Sequence, residues 1–111
     1  MSAFLLLIEE DVKPIILRQC KLAQCSSDGP VLTALGGEDR AKIALAHMCG
    51  FLKTADKTDF FFFFVANSKG IVWDVDAHYN RSRDAWNLDA VMVRNSTVML
   101  DVHRVVSPVY R

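Results

Sequence analysis

The sequence has no excess of charge of either sign, since thirteen basic and thirteen acidic residues cancel. A neutral chain has no general electrostatic attraction to nucleic acid or to an anionic membrane. We therefore expect no nucleic-acid partner and no membrane association, and we expect local surface features to select any partner. The 111 residues are predicted to form a single domain, 1–111, that buries roughly two thirds of the surface of the unfolded chain.

The sequence also lacks a long apolar run and a basic segment at its start. The run AFLLLI at 3–8 is followed by acids, and it is too short for a secretory signal or a membrane span. These absences predict a cytoplasmic protein. The run itself is compatible with a short buried strand or with a first helical turn.

Cysteine is scarce, and the three cysteines cannot all pair within the chain, which is typical of reduced thiols. Residue types that bind zinc occur at Cys20, Cys25, His47 and Cys49, but a single residue separates His47 from Cys49, and these two side chains would diverge on one helix, which is not the usual spacing of a zinc site. Nucleophile motifs, phosphate-binding loops and cofactor fingerprints are absent. The sequence therefore predicts no metal and no cofactor.

Two segments place apolar residues at helical spacing. The first, 12–23, follows Asp11 as a helix cap and ends before SSDGP at 26–30. The second spans 38–53. Its apolar stripe consists of Ala41, Ala44, Leu45, Met48, Phe51 and Leu52. Both segments are predicted to be amphipathic helices.

From residue 59 onward the pattern changes to strands. Five consecutive phenylalanines at 60–64 precede the turn formers NSKG at 67–70. This pattern predicts a hairpin whose loop ends in a left-handed Gly70. In the predicted register, three residue pairs face one another on one side of the hairpin: Phe64 with Asp74, Phe62 with Asp76, and Phe60 with His78.

A second hairpin is predicted from Asp89 to Val106, with its turn at Asn95 and Ser96. The segment 77–88 between the two hairpins contains turn formers without periodicity, and it is predicted to be a loop. The fold class that follows is α+β with two layers. Two N-terminal amphipathic helices would pack on one face of an antiparallel sheet of four to five strands.

This architecture leaves one sheet face open if the helices cover Phe61 and Phe63. The open face would carry Phe60, Phe62, Phe64, Asp74, Asp76 and His78. An exposed aromatic row usually marks an interaction site. The leading hypothesis is therefore a small non-enzymatic protein-binding module, an adaptor, an inhibitor or an assembly subunit, that binds another protein or a second copy of itself.

Three other arrangements fit the same residues. A helix or loop could cover the second face, because strands buried on both sides also appear as continuous apolar runs. The face could hold an active site or metal site of a small enzyme, although alternate residues on a strand lie about 7 Å apart. The residues of that site would be Asp74, Asp76, His78, Asp101 and His103. A curved sheet could instead form a small-ligand pocket, with the loop 77–88 as its lid.

Overall fold

The computed structural model describes residues 15–22, 24–93, 98–99 and 103–109. A six-stranded mixed sheet forms its centre, and helices pack on both faces of that sheet. The predicted combination of a sheet with helices is present, but the predicted arrangement, a two-layer α+β fold with two N-terminal helices on one face of an antiparallel sheet, is wrong.

The described residues form eight strands and three helices. In chain order they are β1 (Leu17–Lys21), β2 (Ser26–Ser27), α1 (Asp28–Ala34), α2 (Glu38–Ala41), β3 (Ile43–Ala44), α3 (Leu45–Thr54), β4 (Phe60–Ala66), β5 (Val72–Asn80), β6 (Ala85–Met92), β7 (Val98–Met99) and β8 (His103–Pro108). The main sheet has the order β1-β8-β4-β5-β6, and β3 pairs with the end of β4. β4 runs antiparallel to β5 and parallel to β8, while β2 and β7 form a separate ladder.

The first predicted hairpin is confirmed. β4 and β5 pair antiparallel, with Phe64 opposite Asp74 and Phe62 opposite Asp76. In the turn, the Asn67 N–H donates to the Ile71 carbonyl at 2.9 Å, and Gly70 has a φ of 80°. The turn chemistry therefore sets the register of the two central strands, as expected for a hairpin that closes through a left-handed glycine.

The phenylalanine run is buried on both faces of the sheet. Phe61 and Phe63 pack beneath α3, in a core cluster with Met48 and Leu52. Phe62 and Phe64 are 2% and 0% exposed, and they pack against residues of α1 and α2. β4 is therefore a strand buried on both sides, as one of the alternatives above predicted. This burial explains why the sequence of β4 is continuously apolar.

The helix predicted at 38–53 is interrupted after Ala41. Lys42 has an extended backbone with a ψ of 145°, and Ile43 then pairs parallel with Val65. Ala41 packs in the cluster below α1 and α2, whereas Met48 packs in the cluster on the other sheet face. The chain must cross the sheet between these two residues, and a single straight helix could not cover both faces.

The segment predicted as a helix at 12–23 contains a strand in its described part. β1 pairs antiparallel with β8 over its whole length. A short apolar segment fits the helical and the strand period almost equally well, so pairing with a distant strand decided the outcome. The run at 3–8 and residues 11–14 lie outside the described residues.

The second predicted hairpin is also wrong. β6 pairs antiparallel with β5, while β8 pairs with β1 and β4. The predicted loop at 77–88 is instead the end of β5, a turn at 81–84 and the start of β6. This turn is closed by Asn80, whose Oδ1 accepts hydrogen bonds from two backbone N–H groups of the turn at 3.0 and 3.3 Å. Because this connection is so short, β5 and β6 can pair with each other only as antiparallel neighbours. The turn predicted at residues 95–96 lies outside the described residues.

The loop between α3 and β4 is held by polar contacts at the start of β4. Asp56 Oδ1 accepts hydrogen bonds from the Thr58 hydroxyl at 2.7 Å and from the Thr58 N–H at 2.9 Å. The Thr58 hydroxyl, and then its N–H, hold the pKa of Asp56 below its ordinary value, with a smaller contribution from the positive charge of Arg104. These contacts stabilise the loop at neutral pH and are lost as falling pH protonates Asp56.

The β4–β5 turn can be tested by replacing Gly70 with alanine. We expect Gly70→Ala to lower the free energy of unfolding by about 1 kcal/mol or more, because a side chain is strained at positive φ. Gly50→Ala is the matched control, since Gly50 lies within α3 and an added Cβ there meets no described atom within 4 Å. The control should be neutral or stabilising. Equal urea midpoints for Gly70→Ala and the unchanged protein would contradict the left-handed turn.

Candidate protein-binding edge and cleft

The residues predicted to bind a partner divide into a buried group and an exposed group. Phe62, Phe64 and Asp74 are buried in the interior. Phe60 is 44% exposed at the start of β4, and Asp76 and His78 are half-buried. The expectation that all three phenylalanines lie on an open face is therefore not met, because α1 and α2 cover that face over most of β4.

At the exposed end of this face, four side chains from four strands form a row. The Phe60 ring centroid lies 6.2 Å from that of His103 and 6.1 Å from that of His78. The next strand contributes Asn87, whose Nδ2 lies 3.3 Å from His78 Nε2. The β4–β5 register brings His78 beside Phe60, as the sequence predicted. His103 reaches the row through the parallel pairing of β8 with β4.

Two residues of the predicted enzyme site are in contact. His103 Nε2 lies 3.2 Å from Asp76 Oδ2, and a carboxylate beside an imidazole is an arrangement that acid–base catalysis uses. However, His103 is buried, and its ring packs at 89° to that of Phe62, so this pair closes the end of a core cluster. The predicted site residue Asp101 lies outside the described residues. The enzyme alternative stays a prediction.

The four zinc-ligand residue types do not converge. Cys20 pairs with Val105 and so lies on the α1 side of the sheet, whereas His47 and Cys49 lie on α3 at the opposite face. His47 has a structural role, because its Nδ1 accepts a hydrogen bond from the Ala44 N–H at 3.1 Å at the start of α3. Within the described ranges, no group of three or more His, Cys, Asp or Glu side chains is arranged to hold a metal ion.

The outer edge of β6 is unpaired within the described part of the chain. β6 pairs with β5, and no other described strand pairs with it. The Val93 N–H donates to the Val72 carbonyl at 3.4 Å, and antiparallel bonding alternates along the strand. The residues whose N–H and C=O groups point away from β5 are therefore Trp86, Leu88, Ala90 and Met92. Such an unpaired edge is a template for the addition of another strand.

Apolar side chains are exposed along the same edge. Val91 is 48% exposed and Met92 is 41% exposed, and they lie on opposite faces of β6. The other edge of the sheet, β1, carries exposed Arg18 and Lys21, and charged side chains protect an edge against pairing. The one charged residue of β6 is Asp89. β6 is therefore the less protected of the two edges.

A cleft of about 440 Å³ lies between α3 and the ends of β5 and β6. Leu52, Trp86 and Leu88 supply apolar lining, and the exposed Lys53 and Lys57 supply two positive charges. The Trp86 ring is fixed, because its Nε1–H donates to the Leu52 carbonyl at 3.1 Å. The cleft therefore has an apolar surface whose largest side chain is anchored by a hydrogen bond to α3.

Tyr79 holds one of these lysines in place. Lys57 Nζ lies 4.6 Å from the centroid of the Tyr79 ring, and that ring packs edge-on against Trp86 with centroids 5.5 Å apart. A cation over an aromatic face is attracted by the electrons of the ring. One positive charge is thereby fixed beside the apolar part of the cleft.

Sequence reasoning began this strand at Asp89, so it missed the first half of β6 and the cleft beside it. The pattern was present, because Trp86, Leu88, Ala90 and Met92 alternate with Asn87, Asp89 and Val91. The turn formers at 80–84 concealed it by extending the predicted loop to residue 88. The lid of the small-ligand alternative is wrong for the same reason, since most of 77–88 belongs to β5 and β6.

No protein-family model matches the chain, and no curated protein or solved structure shows a significant match to it. Of the helices in the described part of the chain, none has both the length and the apolar character needed to cross a membrane. The function is therefore inferred from the surface itself.

Replacing neighbouring phenylalanines of β4 separates buried positions from exposed ones. We expect Phe62→Ala to lower the free energy of unfolding by roughly 3 to 5 kcal/mol, because it opens a cavity in a packed core. Phe60→Ala should cost about 1 kcal/mol or less, because nearly half of that side chain is already exposed. Urea unfolding at neutral pH measures both values. Similar losses for the two variants would contradict the burial of Phe62 beneath α1 and α2.

Proposed function

We propose that the protein is a small non-enzymatic protein-binding module that adds an extended segment of a partner to the outer edge of β6. The observation that carries this proposal is the β6 edge, which no other strand of the described residues pairs with and along which Val91 and Met92 are exposed. In strand addition, main-chain hydrogen bonds supply affinity and side-chain contacts supply specificity. Whether the module acts as an adaptor, an inhibitor or an assembly subunit, and its cytoplasmic location, stay predictions.

The edge has the length that such binding requires. β6 contains eight residues, and a strand of that size extends about 27 Å at about 3.4 Å per residue. Its four outward-facing residues offer both N–H and C=O groups to an added strand. Val91 and Met92 add apolar area on the two faces, so a bound segment would contact the sheet above and below its backbone.

The proposal retains part of the surface predicted from the sequence. Phe60 and His78 remain accessible in the row that ends at Asn87 on β6. A partner bound at the edge could extend over this row. Phe62, Phe64 and Asp74 are buried, so they have no place in the proposed interface.

The edge is tested by placing a charge on it. Met92→Lys should leave the fold intact and reduce capture of a specific partner at least about tenfold, since a lysine on an edge strand opposes pairing. Ile15→Lys is the matched control, because Ile15 has the same 41% exposure and precedes the opposite edge strand. The tagged unchanged protein and both variants would be compared in native capture from lysate, followed by reconstitution of the purified complex.

The comparison between the variants decides the outcome. Retained binding by Ile15→Lys together with loss by Met92→Lys would support the β6 edge. Equal binding by all three proteins would refute it, and loss by Ile15→Lys alone would move the interface to the β1 side. Circular dichroism and the melting temperature check that each variant is folded.

A further inference from the structure

We propose that the partner segment bound at β6 carries two kinds of residue on the side that faces α3, a large apolar residue and an acidic residue. A large apolar side chain would occupy the cleft beside Trp86 and Leu88, and a neighbouring Asp or Glu would meet Lys53 and Lys57. This inference rests on the proposed function, because it requires a strand to be added at the β6 edge. It names the chemistry of the partner, which the edge alone does not specify.

Strand pairing at β6 determines which side chains of a partner reach the cleft. Trp86 and Leu88 direct their main-chain groups outward, and both side chains line the cleft on the α3 side. Residues paired across an antiparallel ladder place their side chains on the same face of the sheet. The partner residues opposite Trp86 and Leu88 would therefore project over the cleft, two residues apart along the partner.

The lining of the cleft carries more positive than negative charge. Lys53 and Lys57 line it, and the acid among the lining residues is Asp84. Among the described residues, the ion pairs found involve other side chains, so neither lysine is neutralised by one. Charge complementarity therefore favours a negative residue on the partner at this face.

A second copy of this chain complements the cleft less well than a segment of another protein does. Suppose that two β6 edges paired antiparallel with one another. The residues whose main-chain groups point away from β5 would then pair, and their side chains would lie on the α3 side of the other copy. Those residues are Trp86, Leu88, Ala90 and Met92, and none is acidic. A second copy would leave both lysines without a negative partner, so the geometry favours an acidic segment of another protein.

The volume of the cleft agrees with this occupant. At about 440 Å³ it lies within the range of about 300 to 1,000 Å³ that is usual for ligand sites. Apolar residues supply its lining from both α3 and β6, which suits a large apolar side chain. The positively charged rim then determines which residue accompanies that side chain.

A displayed library of random nine-residue peptides can test the inference on the intact chain. Peptides selected by the unchanged protein should carry Asp or Glu two positions from a large apolar residue. Selection on the Lys53→Glu/Lys57→Glu double variant should replace that acid by Lys or Arg. Reversing both charges should weaken the best acidic peptide at least about tenfold in fluorescence anisotropy, as expected of a charge contact across an interface.

Two control proteins separate the inference from the proposed function. Lys21→Glu/Lys69→Glu makes the same change in net charge at exposed positions outside the cleft lining, and it should leave the peptide preference unchanged. Ala90→Pro removes an N–H that points away from β5, so it should abolish selection by blocking strand addition.

Peptides without an acidic preference, or with the same preference after charge reversal, would overturn the cleft inference and leave the β6 edge in place. Full binding by Ala90→Pro, or no enrichment by the unchanged protein, would overturn the proposed function as well. A dimer in solution that Met92→Lys dissociates would identify a second copy as the occupant, and it would overturn the acidic partner.

Discussion

The need to bury β4 on both faces governs the whole structure. Four of its five phenylalanines are buried, two beneath α3 and two against α1 and α2. Each buried phenylalanine contributes about 1.5 to 3 kcal/mol relative to an exposed one, so neither face can be left open to water. The chain therefore supplies a helical cover for each face and crosses between them at β3, beside the end of β4.

The same constraint determines which surface remains for binding. α1, α2 and α3 contain seven, four and ten residues, and helices this short cover little more than the central strands. The outermost strand, β6, receives only partial cover, so Val91 and Met92 remain exposed and its outer main-chain groups face away from the sheet. The proposed binding edge is thus a consequence of where the core is concentrated.

The edge and the cleft would act on different parts of one partner. An edge strand binds any extended backbone, so by itself it offers little selectivity. The cleft lies beside the first half of β6 and combines a fixed Trp86 with Lys57 held over Tyr79. Because side chains alternate along a strand, a segment paired with β6 would present every second side chain to this cleft. Specificity would then come from those residues.

The sequence alone determined the features that depend on neighbouring residues. Asn67 and Gly70 specified the first hairpin and its register, and the spacing of Met48 and Leu52 specified the buried side of α3. Only the tertiary structure decided which segments meet: that β8 pairs with β4 and β1, that the predicted helix breaks after Ala41, and that Phe62 and Phe64 are covered. The reason is physical. A turn or a periodic pattern is set by contacts within a few residues, whereas burial and strand pairing depend on distant segments that local periodicity does not encode.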